Sequence, residues 1–308
     1  MADDRRTRRE FLRTSILGAS TIALAACSTD LGIKPQSFVR EKILYGSEPS
    51  QVGELTVELA PKVRPVAVLI HGGYWQSGFD RSEMNELADD LARHGYASWN
   101  IDYRRIGEPG GGWPGTLVDV ALAIDALANL APVKGLDLNR VVLVGHSAGA
   151  QLSFWLTSRG RIPLGQTGSL PKVLPKAVVS LAGVLDLVAS ARPAPGEGEA
   201  ERHRAELPAA VNTFLGGGPE QRPDRYAFAS PQALLPFGIP QLLVHGLLDD
   251  RVPVDQSRAY EAAAIAVGDQ VKLIELPNVD HFDILKTTRG GWDEVVAWLA
   301  AVVGDPSG

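Results

Sequence analysis

Apolar positions in this chain fall into short continuous runs separated by amphipathic stretches. Pro65-Val66-Ala67-Val68-Leu69-Ile70, Val141-Val142-Leu143-Val144, Ala177-Val178-Val179-Ser180-Leu181 and Pro240-Gln241-Leu242-Leu243-Val244 are such runs. Their length and β-branched content predict strands covered on both faces. Further strands are predicted at Phe38 to Tyr45, Leu55 to Leu59, Tyr96 to Ile101 and 271–276, the first two as an antiparallel entry to the sheet. Helical spacing covers Arg81 to His94, Leu117 to Leu130, 255–267 and 291–303. Alternation of strands and helices predicts an α/β fold, with a mostly parallel central sheet and helices on both faces. Residues 191–230 break this rhythm. Pro, Gly and Glu collect at 193–201 and Gly216-Gly217-Gly218 follows, so this stretch reads as an insertion with one short helix, Leu207 to Leu215.

Composition adds little but excludes much. A hydrophobic content of 45% over 308 residues supports a large core and argues against disorder. A net charge of −6 offers no basic surface for nucleic acid.

The first residues form a separate object. Thr7-Arg8-Arg9-Glu10-Phe11-Leu12-Arg13 precedes an uncharged run, Thr14 to Ala26, that is shorter than the ~20 residues a bilayer span needs. It fits the apolar region of a secretory signal. The arginine pair resembles a twin-arginine export signal, and Leu24-Ala25-Ala26-Cys27 resembles a bacterial lipobox, whose cysteine is acylated. The expected organisation is therefore a signal peptide over 1–26, a tether over 27–37 and one domain over 38–304, held at a membrane of the cell envelope through Cys27. Cys27 is the only cysteine, so no internal disulfide can form.

The candidate chemistry lies at predicted strand ends, where open α/β sheets hold their ligands. Gly145-His146-Ser147-Ala148-Gly149 follows a strand and precedes a helical stretch. Glycines two residues either side permit a sharp turn, and a helix N-terminus favours a developing oxyanion. This is the Gly-x-Ser-x-Gly nucleophile elbow, in which Ser147 is the nucleophile. Chain order Ser, acid, His then selects the base. His71, His94 and His146 precede Ser147, His203 lies in the insertion, and His245 comes before the acids, which leaves His281. The acid is Asp249 or Asp250; Asp186 and Asp280 read as a turn residue and a loop acid. His71-Gly72-Gly73 ends the strand at 65–70, and its glycines suit an oxyanion hole of Gly72, Gly73 and Ala148 N–H groups. Tyr74, Trp75 and Trp113 are candidate pocket walls. No metal-ligand spacing appears, and the glycines at 110–112 lack the spacing and lysine of a phosphate loop. No cofactor is expected.

These residues together resemble the α/β-hydrolase superfamily over almost the whole chain after the signal. The pattern His-Gly-x-x-Asp of that superfamily, followed here by Val252-Pro253, selects Asp249 over Asp250. More narrowly, His71-Gly72-Gly73-Tyr74-Trp75, Gly145-His146-Ser147-Ala148-Gly149 and Asp280-His281-Phe282 look like the kynurenine formamidase branch, near the hormone-sensitive-lipase-like esterases. That resemblance implies hydrolysis of small esters or aryl formamides without a cofactor. Formamidases of tryptophan breakdown are expected in the cytoplasm, so the export signal favours a carboxylesterase-like hydrolase acting on a small-molecule ester. An arylformamidase is the alternative, and a non-catalytic binding lipoprotein on a hydrolase fold is the second.

Overall fold

A computed structural model describes residues 38–59, 62–192, 205–304 and 306. The signal, the tether and Cys27 lie outside the described residues, as does His203. Eight strands form one sheet in the order β1-β2-β4-β3-β5-β6-β7-β8. They are β1 (Phe38–Leu44), β2 (Val52–Glu58), β3 (Arg64–Ile70), β4 (Ala97–Ile101), β5 (Leu136–His146), β6 (Ala177–Leu181), β7 (Gln241–Gly246) and β8 (Val271–Leu276). β1 and β2 are antiparallel to their neighbours, and β3 to β8 are mutually parallel.

Among the described residues the helices are α1 (Asn85–Arg93), α2 (Gly115–Asp125), α3 (Leu127–Lys134), α4 (Ala148–Thr157), α5 (Leu187–Ser190), α6 (Glu206–Leu215), α7 (Pro223–Ala229), α8 (Asp255–Ala266) and α9 (Trp292–Val303). A 3₁₀ turn, Arg81–Met84, leads into α1. The insertion thus carries a second helix, α7, beyond the one expected. Arg222-Pro223 reads as a loop in sequence, yet proline at the first helical position suits a helix start.

The period of two in the strands builds two cores. Val66, Val68, Ile70, Val141 and Leu143 face one side, where α2, α4 and α8 contribute Leu117, Val120, Leu152, Phe154 and Tyr260. Ala67, Leu69, Val142 and Val144 face the other, with Leu87 and Leu91 of α1 and Trp292, Val295 and Leu299 of α9. Every residue of β3 is buried, as a sheet covered on both faces requires. The carboxyl ends of β3, β5 and β7 therefore open on one edge, and the loops that follow them carry the polar motifs.

Candidate active site

Ser147 stands between β5 and α4 with φ +52° and ψ −118°, a backbone conformation rare for any residue but glycine. Its surroundings over-determine it. Its N–H donates to the Leu181 carbonyl at 2.9 Å, and its carbonyl accepts from Ala150 N–H at 3.1 Å. A Cβ at Gly149 would overlap the carbonyl oxygens of Ile70 and His71, and one at Gly145 would overlap Gly149 itself. The two glycines are there for close approach, as the sequence suggested.

Asp249 and His281 are brought together from the ends of β7 and β8. His281 Nδ1 donates to Asp249 Oδ2 at 2.7 Å, and both side chains are buried. The other oxygen, Oδ1, accepts from the N–H groups of Arg251 and Val252 at 2.8 Å each. His245 Nε2 lies 3.2 Å from Oδ2, so a second histidine flanks the carboxylate. Burial pushes the Asp249 pKa up, but these histidines outweigh it and hold the carboxyl far below its usual range. Burial pushes the His281 pKa down, and the Asp249 hydrogen bond only partly restores it. Of the two candidate acids, Asp249 is the one bonded to His281. Asp250 instead lies 3.3 Å from Arg251 Nε and is partly exposed. Asp186 caps α5, and Asp280 accepts from the N–H groups of Phe282 and Asp283.

The loop after β3 needs one correction. Gly72 N–H donates to Glu83 Oε2 at 2.6 Å, so it is not available to an oxyanion. Gly72 serves by lacking a side chain: a Cβ there would stand 2.9 Å from Ser147 Cβ and 2.8 Å from His146 Nδ1. Gly73, Tyr74 and Trp75 all have positive φ, at +89°, +55° and +57°. The amides of Gly73 and Ala148 have no hydrogen-bond partner among the described residues; Ala148 follows Ser147 in the chain, and Gly73 follows Gly72, which stands against Ser147 Cβ. They are the two amides that the loop and the elbow leave open as candidate oxyanion donors. The loop is braced from behind. Tyr103 Oη donates to the His71 carbonyl at 3.0 Å, and its ring stacks on His71 at 4.4 Å.

Two of the three candidate wall residues are placed elsewhere. Trp75 is fully buried, stacks on Phe214 and donates Nε1–H to Gln151 Oε1 at 3.0 Å, so it is a core residue. The run of positive φ turns it inward. Trp113 meets Phe228 edge-on and carries Arg225 over its ring. It lines a cleft of ≈ 600 Å³ with Gln166, Thr167 and Asp224, and no triad residue borders that cleft. Tyr74 is half-buried, and burial pushes its hydroxyl up to about 12. Phe282, quoted above only within a motif, is 44% exposed beside His281 and packs under Arg251. Glu83 was missed. Asp80 caps its turn by accepting from Ser82 N–H, so Asp80-x-x-Glu83 reads locally as a helix start and hides what the glutamate does. Among the described residues, no group of three or more His, Cys, Asp or Glu side chains is arranged to hold a metal ion.

Comparison with known proteins agrees with this geometry. Residues 57–263 match the BD-FAE family model. Esterase LipC of Mycobacterium tuberculosis is 30% identical over 263 residues, which cover 82% of this chain and 62% of LipC. Kynurenine formamidase avaC of Aspergillus versicolor is 28% identical over 221 residues, covering 63% of this chain and 73% of avaC. Among solved structures, Esterase B from Lactobacillus Rhamnosis superposes with a TM-score of 0.71 at 20% identity, covering 87% of each chain. With a strained elbow serine, an Asp–His pair and this sheet order, the chain has the α/β-hydrolase fold and belongs to the BD-FAE family.

Proposed function

We propose that this protein is a serine hydrolase that cleaves a small carboxylic ester. The observation that carries the reading is the Asp249–His281 hydrogen bond set at the strand ends beside a serine held at φ +52°. Ser147 Oγ attacks the ester carbonyl while His281 Nε2 takes its proton. Asp249 fixes the tautomer that leaves Nε2 free and stabilises the imidazolium. The tetrahedral oxyanion accepts hydrogen bonds from Gly73 and Ala148 N–H. Collapse expels the alcohol, which takes the proton from His281, and leaves an acyl-serine. Water then attacks the acyl carbon, again losing its proton to His281, and releases the acid and Ser147.

The relatives favour an ester over a formamide: the match to the esterase LipC extends over more of this chain than the match to the formamidase avaC. The test is a panel of p-nitrophenyl esters of increasing chain length beside N-formylkynurenine, run on the protein and on Ser147→Ala. Ester turnover lost in Ser147→Ala by on the order of 10⁴ or more supports the reading. Unchanged turnover in that variant would falsify it, and faster turnover of N-formylkynurenine would move the substrate to the formamide.

We further propose that Cys27 is acylated and holds the domain at a membrane of the cell envelope. Support comes from Arg8-Arg9, the apolar run and the small residues before a lone cysteine. Two or more acyl chains anchor a soluble domain stably, whereas one does so marginally. Cys27→Ser is expected to release activity from the membrane fraction. An unprocessed N-terminal peptide in mass spectrometry would refute export.

A further inference from the structure

We propose that Glu83 and His146 form a buried ion pair that positions the Ser147–His281 site and sets the basicity of His281. This rests on the serine hydrolase reading above. One carboxylate reaches two parts of the machinery. Glu83 Oε2 accepts from Gly72 N–H at 2.6 Å, fixing the loop that carries Gly73. Glu83 Oε1 lies 3.2 Å from His146 Nδ1, an ion-pair contact. The other nitrogen of that ring, Nε2, donates to the His281 backbone carbonyl at 3.0 Å. His146 directly precedes Ser147, so a single chain of contacts links oxyanion loop, nucleophile and base. Both positioning residues act through others; neither is placed to touch substrate.

The geometry also dictates charge. His146 Nδ1 lies at ion-pair distance from the Glu83 carboxylate without an aligned hydrogen bond, and Nε2 meets a carbonyl, so the negative groups at both nitrogens favour the imidazolium. Burial pushes the His146 pKa down, but Glu83 outweighs it and leaves it raised. Burial likewise pushes Glu83 up, and His146 overrides it and brings the carboxyl down to about 2. The His146 ring centroid stands 4.7 Å from that of His281. A cation at that distance opposes protonation of His281, while Asp249 at 2.7 Å favours it. The remaining charged groups are further back. His245 and the N–H groups of Arg251 and Val252 face Asp249. His71 acts on Glu83 and lies 3.6 Å from Asp102, and Arg251 covers Phe282. Burial is the larger cause of the lowered His281 pKa, and the cation of the pair adds to it, against the pull of Asp249 and the weaker pull of Glu83.

The experiment compares wild type, His146→Gln and Glu83→Gln. The pH dependence of the rate of Ser147 labelling by a fluorophosphonate is read beside kcat/KM for p-nitrophenyl acetate. His146→Gln removes the cation and leaves Glu83 negative, so both changes raise the acidic limb, by about one pH unit or more. Glu83→Gln removes the anion as well as the reason for His146 to be charged. The nearer charge lost is the cation, so its limb also rises, by less. The order His146→Gln, then Glu83→Gln, then wild type is not one that loss of packing alone predicts. Limbs that stay at the wild-type position in folded variants overturn the proposal. Wild-type protein that is not labelled at Ser147 instead overturns the hydrolase reading. A test that needs no variant is nitrogen-15 NMR of the wild type at pH 6.5. His146 is expected to carry protons on both ring nitrogens while His281 is neutral, and a neutral His146 overturns the ion pair.

Discussion

Replacing Asp249 by asparagine isolates the electrostatic part of the site with almost no change in shape. The structure fixes how the new amide must sit. Oδ1 accepts two backbone N–H groups, from Arg251 and Val252, at 2.8 Å each. A flipped amide would set its NH₂ against both donors, so the new side chain keeps its oxygen there. Its NH₂ then takes the place of Oδ2, 2.7 Å from His281 Nδ1. A donor at that point turns Nδ1 into an acceptor and sends the ring proton to Nε2, the atom that receives the Ser147 proton in the proposed mechanism. In a serine protease triad the same change costs about 10⁴ in kcat, or about 5 kcal/mol of transition-state stabilisation. A loss on the order of 10³–10⁴ is expected here, measured as kcat on a saturating p-nitrophenyl ester, with circular dichroism to confirm the fold. Asp250→Asn is the control. Its carboxylate is partly exposed beside Arg251, and an ion pair of that kind is worth about 0–1 kcal/mol, so a loss under about fivefold is expected. A loss under tenfold in Asp249→Asn, or a larger one in Asp250→Asn, refutes the assignment of the acid.

Gly72→Ala places a Cβ 2.9 Å from Ser147 Cβ, so nucleophile or loop must shift by a few tenths of an ångström. A fall of about 10–100-fold in kcat with the thermal midpoint retained is expected, and a variant with wild-type kcat would show that the loop yields freely. Gly149→Ala forces overlap with two strand-end carbonyls, so it is expected to destabilise the protein by about 2 kcal/mol or more, read in a denaturant melt. For pH, burial lowers the His281 pKa from 6.5, so the active neutral base persists to more acid solution than an ordinary imidazole would allow. The acidic limb of kcat/KM is expected below 6.5, with activity lost as pH falls through it; a limb above 6.5 contradicts the burial argument.

Much of the site was legible in the chain because its signals are local. A glycine two residues either side of Ser147 is dictated by the turn itself, and chain order singles out His281, which the structure pairs with Asp249. Buried parallel strands need continuous apolar runs, so β3, β6 and β7 stand close to where those runs placed them. Where the pattern is mixed, sequence fell short. β5 begins at Leu136 rather than Val141, because Asp137, Asn139 and Arg140 lie at a register shift opposite Pro65 and Val66 and break the apolar run. The expected helix from Leu117 to Leu130 is two helices meeting at Ala126.

Only the tertiary structure decided which amides of the loop are already bonded and which aromatic rings are buried. The motif His-Gly-Gly-Tyr-Trp offers several amides and two rings, and nothing in it says where each points. Three successive positive φ values send Trp75 into the core. A carboxylate eleven residues further on, at Glu83, claims the Gly72 amide. The same carboxylate pairs with His146, far along the chain, and that histidine reaches His281 further still. Backbone turns and strand burial are set by neighbours in sequence, so the chain declares them. Hydrogen-bond partners and charge states across a buried site depend on which groups folding leaves without water, and that is settled only once distant loops share one sheet edge.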